Sequence, residues 1–123
     1  MEKINRLQIN TIIKIPEGRL ELFKQFAVES IRLTSERDTG VLKQDWFISK
    51  GQTEGVIHEE YKNSEAVLEH MANMSEIREL ASNFSIDHVN VYGDPSPELL
   101  EMTKGANMRV YSFFQGVEEM IEA

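Results

Sequence analysis

Between residues 56 and 74 the apolar pattern changes period within a few residues, which restricts the chain to folds where a strand feeds directly into a helix. Val56-Ile57-His58-Glu59-Glu60-Tyr61 sets β-branched and aromatic residues among polar ones with the period of two of a half-buried strand. Asn63 or Ser64 then offers an N-cap oxygen, and Glu65 falls in the first turn, where the helix dipole favours negative charge. Val67, Met71 and Met74 follow at i, i+4 and i+7 as one apolar stripe, with His70 at its border. His58 or Glu59, Tyr61 and His70 are thereby gathered in one strand–turn–helix unit.

The rest of the chain arranges itself around this unit. Leu7, Ile9, Thr11, Ile13 and Ile15 alternate along a first strand, which Pro16-Glu17-Gly18 ends. The spacing predicts a helix over residues 19–36, its face formed by Leu20, Phe23, Ala27, Ser30, Ile31 and Thr34 and widened by Phe26. Arg37-Asp38-Thr39-Gly40 is turn-rich, with Gly40 suited to a left-handed position. Residues 41–49 form a second strand holding the single tryptophan, Trp46, and a loop with Gly51 and Gly55 makes a hairpin with the central strand. Ser75 caps a further helical stretch to about residue 83, with Ile77, Leu80, Ala81 and Phe84 on its apolar side. Residues 86–92 are a fourth strand, closed by Gly93-Asp94-Pro95. Ser96 then Pro97 starts a short helix that stops at Gly105, and residues 108–115 read as a last strand.

The order β-α-β-β-α-β with an appended helix and strand is the split βαβ, ferredoxin-like α+β pattern, an antiparallel sheet with helices on one face. All 123 residues belong to one domain, with a core over about 7–92 and an extension over about 93–123. The sheet face without helices should be polar. Instead Ile12 beside Ile13, Phe47 beside Trp46 and Phe114 beside Phe113 put apolar bulk on both faces. The simplest cover is the same face of a second copy, so a homodimer is expected.

Composition narrows the function classes. A net charge of −8 disfavours a nucleic-acid surface, which needs clustered Lys and Arg. With no cysteine there is no disulfide framework and no thiolate nucleophile or metal ligand. No apolar run approaches a membrane span, and residues 1–5 lack a signal-peptide pattern, so a cytoplasmic protein without membrane partners is expected. The three histidines lack ligand spacing, so no metal is expected, and no P-loop, dinucleotide fingerprint or nucleophile elbow occurs.

Several stretches resemble the antibiotic biosynthesis monooxygenase domain, within the dimeric α/β-barrel superfamily. Ile15-Pro16-Glu17-Gly18-Arg19 through Phe23 resembles the family's Pro-Gly-basic lead into its first helix. Thr39-Gly40-Val41-Leu42 resembles its glycine-led second strand. Ile57-His58-Glu59-Glu60-Tyr61 through Ser64-Glu65-Ala66 to His70 resembles its most recognisable segment, a strand Glu and an aromatic preceding a helical His. The resemblance implies two sheets closing into a dimeric barrel with helices outside. It also implies oxidation of quinols or polycyclic phenols by O2 without metal or organic cofactor. Other relatives degrade haem, and many have no assigned activity. The chain departs from the family in lacking a full Asn/Trp/Tyr/Arg set, and Trp46 lies on a strand rather than a helix.

Such chemistry needs a base to form an electron-rich phenolate, inside a dry pocket with a few orienting groups. His70 is the candidate base, since histidine titrates near neutrality; the competing role is structural, at a helix end. Glu59 is either a second acid–base group or half of a buried pair. Tyr61 either bonds substrate or packs in the core, and Trp46 either stacks on an aromatic ligand or packs in a core or interface. His58 points away from Glu59, His88 and Asn90 share one side of the fourth strand, and Asn10 lies on the less apolar side of the first; the four line either a polar substrate-binding interior or a dimer seam. The rival function is a non-catalytic dimeric module that binds a small ligand or a protein; haem binding or degradation ranks third. A cavity containing His70 favours the enzyme, and a side-chain-filled interior favours the module.

Overall fold

The computed structural model describes residues 6–117. The reading of residues 1–5, and the last six residues of the extension, lie outside them. Strand β1 (Leu7–Lys14) leads to helix α1 (Leu20–Arg37), then to the hairpin of β2 (Val41–Ile48) and β3 (Glu54–Tyr61). Helix α2 (Ser64–Met74) follows, continued by a 3₁₀ turn (Ser75–Ile77) and a single helical turn, α3 (Arg78–Ala81). Then come β4 (Ser85–Tyr92), α4 (Pro97–Met102) and β5 (Met108–Tyr111).

The sheet order is β2-β3-β1-β4-β5. The first four strands pair antiparallel and β5 joins β4 in parallel, so the expected antiparallel sheet is mixed at its appended edge. A parallel neighbour needs a crossover, and α4 supplies it. The last strand ends at Tyr111 rather than residue 115.

Local chemistry sets the boundaries. Asn63, not Ser64, caps α2, its Oδ1 accepting from the Ala66 amide at 2.9 Å. The Ser64 hydroxyl instead accepts from the Ser96 amide at 2.8 Å, tying α2 to the start of α4. Ser96 caps α4 by accepting from Leu99 N at 3.1 Å, with Pro97 at the first helical position. Gly40 does not adopt a left-handed conformation. It is glycine because any Cβ would collide with Ala66 of α2, so β2 starts hard against the helix. Gly55 likewise leaves room for the Phe23 ring.

The helices cover one sheet face, which carries Leu7, Ile9, Ile13, Ile57, Tyr61 and Val91 toward them. On α1 the buried residues are Phe23, Ser30 and Leu33, whereas Ile31 is exposed. The stripe runs 23, 26, 30, 33, and Ile31 lies about 100° off it at the helical 3.6 period. Phe23, Phe26, Trp46 and Phe84 pack as an aromatic cluster between α1, β2 and the start of β4, with Phe23–Trp46 centroids 5.6 Å apart, edge to face. Fully burying a side chain such as Phe23 or Leu33 contributes about 2 kcal/mol each.

Candidate functional site

Sheet and helices do not fill the space between them. A largely apolar cavity of about 480 Å³ remains, spanning all five strands and roofed by α2, α3 and α4. Its polar wall lies at the β2–β3 edge. Strand alternation places Gln44, Trp46, Ile57, Glu59 and Tyr61 on the helix-covered face, because Gln44 pairs with Glu59 and Trp46 with Ile57. Helix α2 brings His70 down onto the same spot.

His70 sits between two carboxylates. Its Nδ1 lies 2.6 Å from Asp38 Oδ2 and its Nε2 3.3 Å from Glu59 Oε2. The Asp38 side chain is wholly buried, and those of His70 and Glu59 nearly so. Asn73 Nδ2 donates to the other Asp38 oxygen at 2.5 Å. Thr39, next in the chain, is pinned by its amide donating to Glu69 at 2.9 Å, which locks the α1–β2 turn onto α2. On the far side of Glu59, Gln44 Nε2 donates to Oε2 at 2.9 Å and to Thr34 Oγ1 at 3.0 Å. Trp46 Nε1 donates to Gln44 Oε1 at 3.2 Å, fixing the amide's orientation. The Tyr61 ring meets His70 edge-on at 5.7 Å between centroids. Burial pushes the Tyr61 hydroxyl well above its ordinary value, reinforced by the charge of Glu59, a hydrogen bond to it, and the charge of Asp38. Tyr61 is therefore a neutral hydrogen-bonding group.

Both imidazole nitrogens face carboxylate oxygens, so a proton on either nitrogen finds an acceptor. The arrangement sets an imidazole between two carboxylates in a buried wall, the residue types that general acid–base chemistry uses.

Of the residues singled out in the sequence, His70, Glu59, Tyr61 and Trp46 converge on the cavity. Asn10, His58, His88 and Asn90 do not line it. They occupy the opposite sheet face, where Asn10 pairs with both His58 and Asn90. There His58 packs on Phe47 at 4.9 Å between centroids, and His88 Nδ1 sits 2.8 Å from Asp87 Oδ2. That hydrogen bond, then the nearby Lys14 charge, holds the Asp87 carboxyl below its ordinary range. Asn90 Oδ1 is buried without a hydrogen-bond partner among the described residues. Asp38 and Gln44 were missed. Gln44 was detectable as a polar residue two before Trp46 and so on its face, but Asp38 reads as a turn residue. Among the described residues no three His, Cys, Asp or Glu side chains group as a metal centre would require.

No family model matches the sequence, and no curated protein matches it. Solved structures do. MupZ from Pseudomonas fluorescens is similar at 25% identity and a TM-score of 0.76, over 91% of this chain and 93% of that one. A Bacteroides thetaiotaomicron protein described as a candidate antibiotic biosynthesis monooxygenase is similar at 22% identity and a TM-score of 0.61, over 76% and 90%. SnoaB from Streptomyces nogalater, a cofactor-independent oxygenase, has a TM-score of 0.61 at 6% identity, over 75% and 95%. The chain has the antibiotic biosynthesis monooxygenase fold. Within this fold, Gln44, Glu59 and His70 face the cavity, and Asp38 lies behind His70 on its Nδ1.

Proposed function

We propose that this protein is a cofactor-independent monooxygenase that oxidises a quinol or polycyclic phenol with O2. The observation that supports it is the placement of a buried His–carboxylate centre in the wall of an apolar cavity large enough for a multi-ring ligand. That cavity also favours an enzyme over a packed, non-catalytic module.

Glu59 Oε1 is the oxygen engaged by neither Gln44 nor His70, and it is the point at which a substrate hydroxyl meets the centre. The Glu59–His70 pair takes the phenolic proton, and the phenolate passes an electron to O2. In a phenol one oxygen atom enters at a ring C–H as the second quinone carbonyl; in a quinol it enters at a ring C–H to give a hydroxyquinone. In both the other oxygen leaves as water with two hydrogens of the substrate. Tyr61, neutral, steadies Glu59; Trp46 and the apolar wall orient the ring and exclude water. Asp38 and Gln44 are positioning residues.

The working form in this reading is a homodimer. The sheet face away from the helices carries Phe47, Tyr92 and Tyr111 in partly exposed positions, together with the unpartnered Asn90 oxygen, and a second copy covers it. The test is oxygen uptake by the purified protein and its His70→Ala variant over a panel of quinols and hydroxynaphthalenes. Uptake that disappears in the variant, with quinone formed, is expected. An intact protein that consumes no O2 with any member would overturn the oxygenase reading.

A further inference from the structure

The cavity is strongly asymmetric along the sheet. Its acid–base groups, His70 and Glu59, lie at the β2–β3 edge, with Asp38 buried behind His70. At β4 and β5 the wall is apolar, through Val89, Val91 and Met108, with Leu99 of α4 beside them. Beyond that stretch the α4–β5 turn contributes Lys104, the one Lys or Arg among the lining residues. The turn is well built: Thr103 Oγ1 donates to Leu99 O at 2.8 Å, Ala106 N to Thr103 O at 3.0 Å, and Asn107 Nδ2 to Asp87 O at 3.0 Å. Lys104 is itself largely exposed at the cavity rim, its ammonium 3.9 Å from the exposed Glu101, and from there it can meet a ligand group at the mouth. Strand β5 lies three inter-strand intervals from β3, which places the two ends of the cavity about 14 Å apart.

Charge decides how a ligand enters. An anionic group at the β2–β3 end would meet the buried Glu59 carboxyl, with Asp38 behind His70, an unfavourable placement. At the other end it meets a cation. In a chain of net charge −8, Lys104, the one Lys or Arg among the described lining residues, gives the site its orientation.

We infer that the ligand is an elongated, mostly apolar molecule with an anionic group at the end remote from the reacting hydroxyl, and that Lys104 pairs with that group. This rests on the reading that the Glu59–His70 end is where chemistry occurs. It adds that a compact neutral phenol fills only part of the site and that Lys104 selects for acids.

Trp46, the single tryptophan, lines the cavity and reports occupancy without turnover. Quenching of its fluorescence by decanoate and by decan-1-ol, both below their aggregation concentrations, gives two dissociation constants. Decanoate is expected to bind about fivefold tighter, as befits an exposed ion pair. Lys104→Gln should bring the ratio to one, Lys104→Glu should invert it, and rising salt should shrink it only in the wild type. Equal affinity for acid and alcohol in the wild type, no quenching by decanoate, or a preference that survives Lys104→Gln would each overturn the inference. The readout needs no turnover, so an inert protein that prefers decanoate sinks the oxygenase reading alone. Oxygen uptake without the preference sinks this inference alone.

Discussion

Asp38 and His70 are separated by 32 residues, yet their side chains meet at 2.6 Å with the Asp38 carboxyl closed off from solvent. Asp38 ends α1 and His70 lies on the middle turns of α2. The contact ties the two helices together beside the cavity and fixes which imidazole nitrogen points at Glu59. A carboxylate on Nδ1 favours the tautomer that carries the proton on that nitrogen.

Asp38→Asn keeps the shape and removes the charge. We expect kcat to fall about 10²-fold with KM little changed, because proton transfer is impaired and ligand contact is not. The pH–rate profile should change shape, which a purely structural role would not cause. Stability should drop by about 3 kcal/mol, since one partner of a buried pair is gone. Steady-state kinetics across pH and urea unfolding check both halves.

Glu59→Gln tests the proton acceptor more directly. The variant should remain folded, because an amide can still meet Gln44 and His70, while activity falls at least about 10²-fold. A variant with undiminished uptake would remove Glu59 from the chemistry.

Tyr61 makes a prediction about alkaline pH. Its folded pKa is raised by burial first and then by Glu59, so above pH 10 the unfolded chain loses a proton that the folded chain keeps. Stability from this group is present below the unfolded value and is lost as pH rises toward the folded one. The difference in melting temperature between wild type and Tyr61→Phe should therefore shift against the wild type from about pH 9.5 to 11. At neutral pH the variant should be about 1 kcal/mol less stable, through its lost hydrogen bond. Parallel melting curves at both ends of that range would contradict the assignment.

Gly55→Ala should cost about 1–3 kcal/mol, as overpacking does, because the new methyl meets the ring of Phe23, itself almost fully buried. Chemical unfolding measures it. Gly18→Ala is the comparison: nothing lies within 4 Å of its added Cβ, and its penalty comes from the positive φ of 81°.

Phe47→Glu places a charge on the sheet face opposite the helices, where Phe47 is half exposed. Sedimentation should show the wild type as a dimer and the variant as a monomer. A wild type that sediments as a monomer would refute the second copy on this face.

The sequence by itself determined the elements and their order. Periods of two and 3.6 mark which residues face inward, and Asn63, Ser96 and Pro97 carry their capping chemistry locally. That was enough to reach the fold and to bring Glu59, Tyr61 and His70 together, because strand, turn and helix lie within a few residues of one another. It also showed, through Phe47 and Ile12, that both sheet faces are apolar. Only the tertiary structure decided the rest. Whether Gly40 serves a turn or a close approach depends on Ala66, 26 residues away, and no local pattern contains that distance. Asp38 becomes part of the site because α1 ends where α2 passes. Asn10, His58, His88 and Asn90 turned away from the cavity because helices cover the other face, and a strand's alternation says which residues share a side without saying which side is roofed. A cavity is volume left between elements, set by how far the helices stand off the sheet, and one-dimensional periodicity carries no measure of that gap.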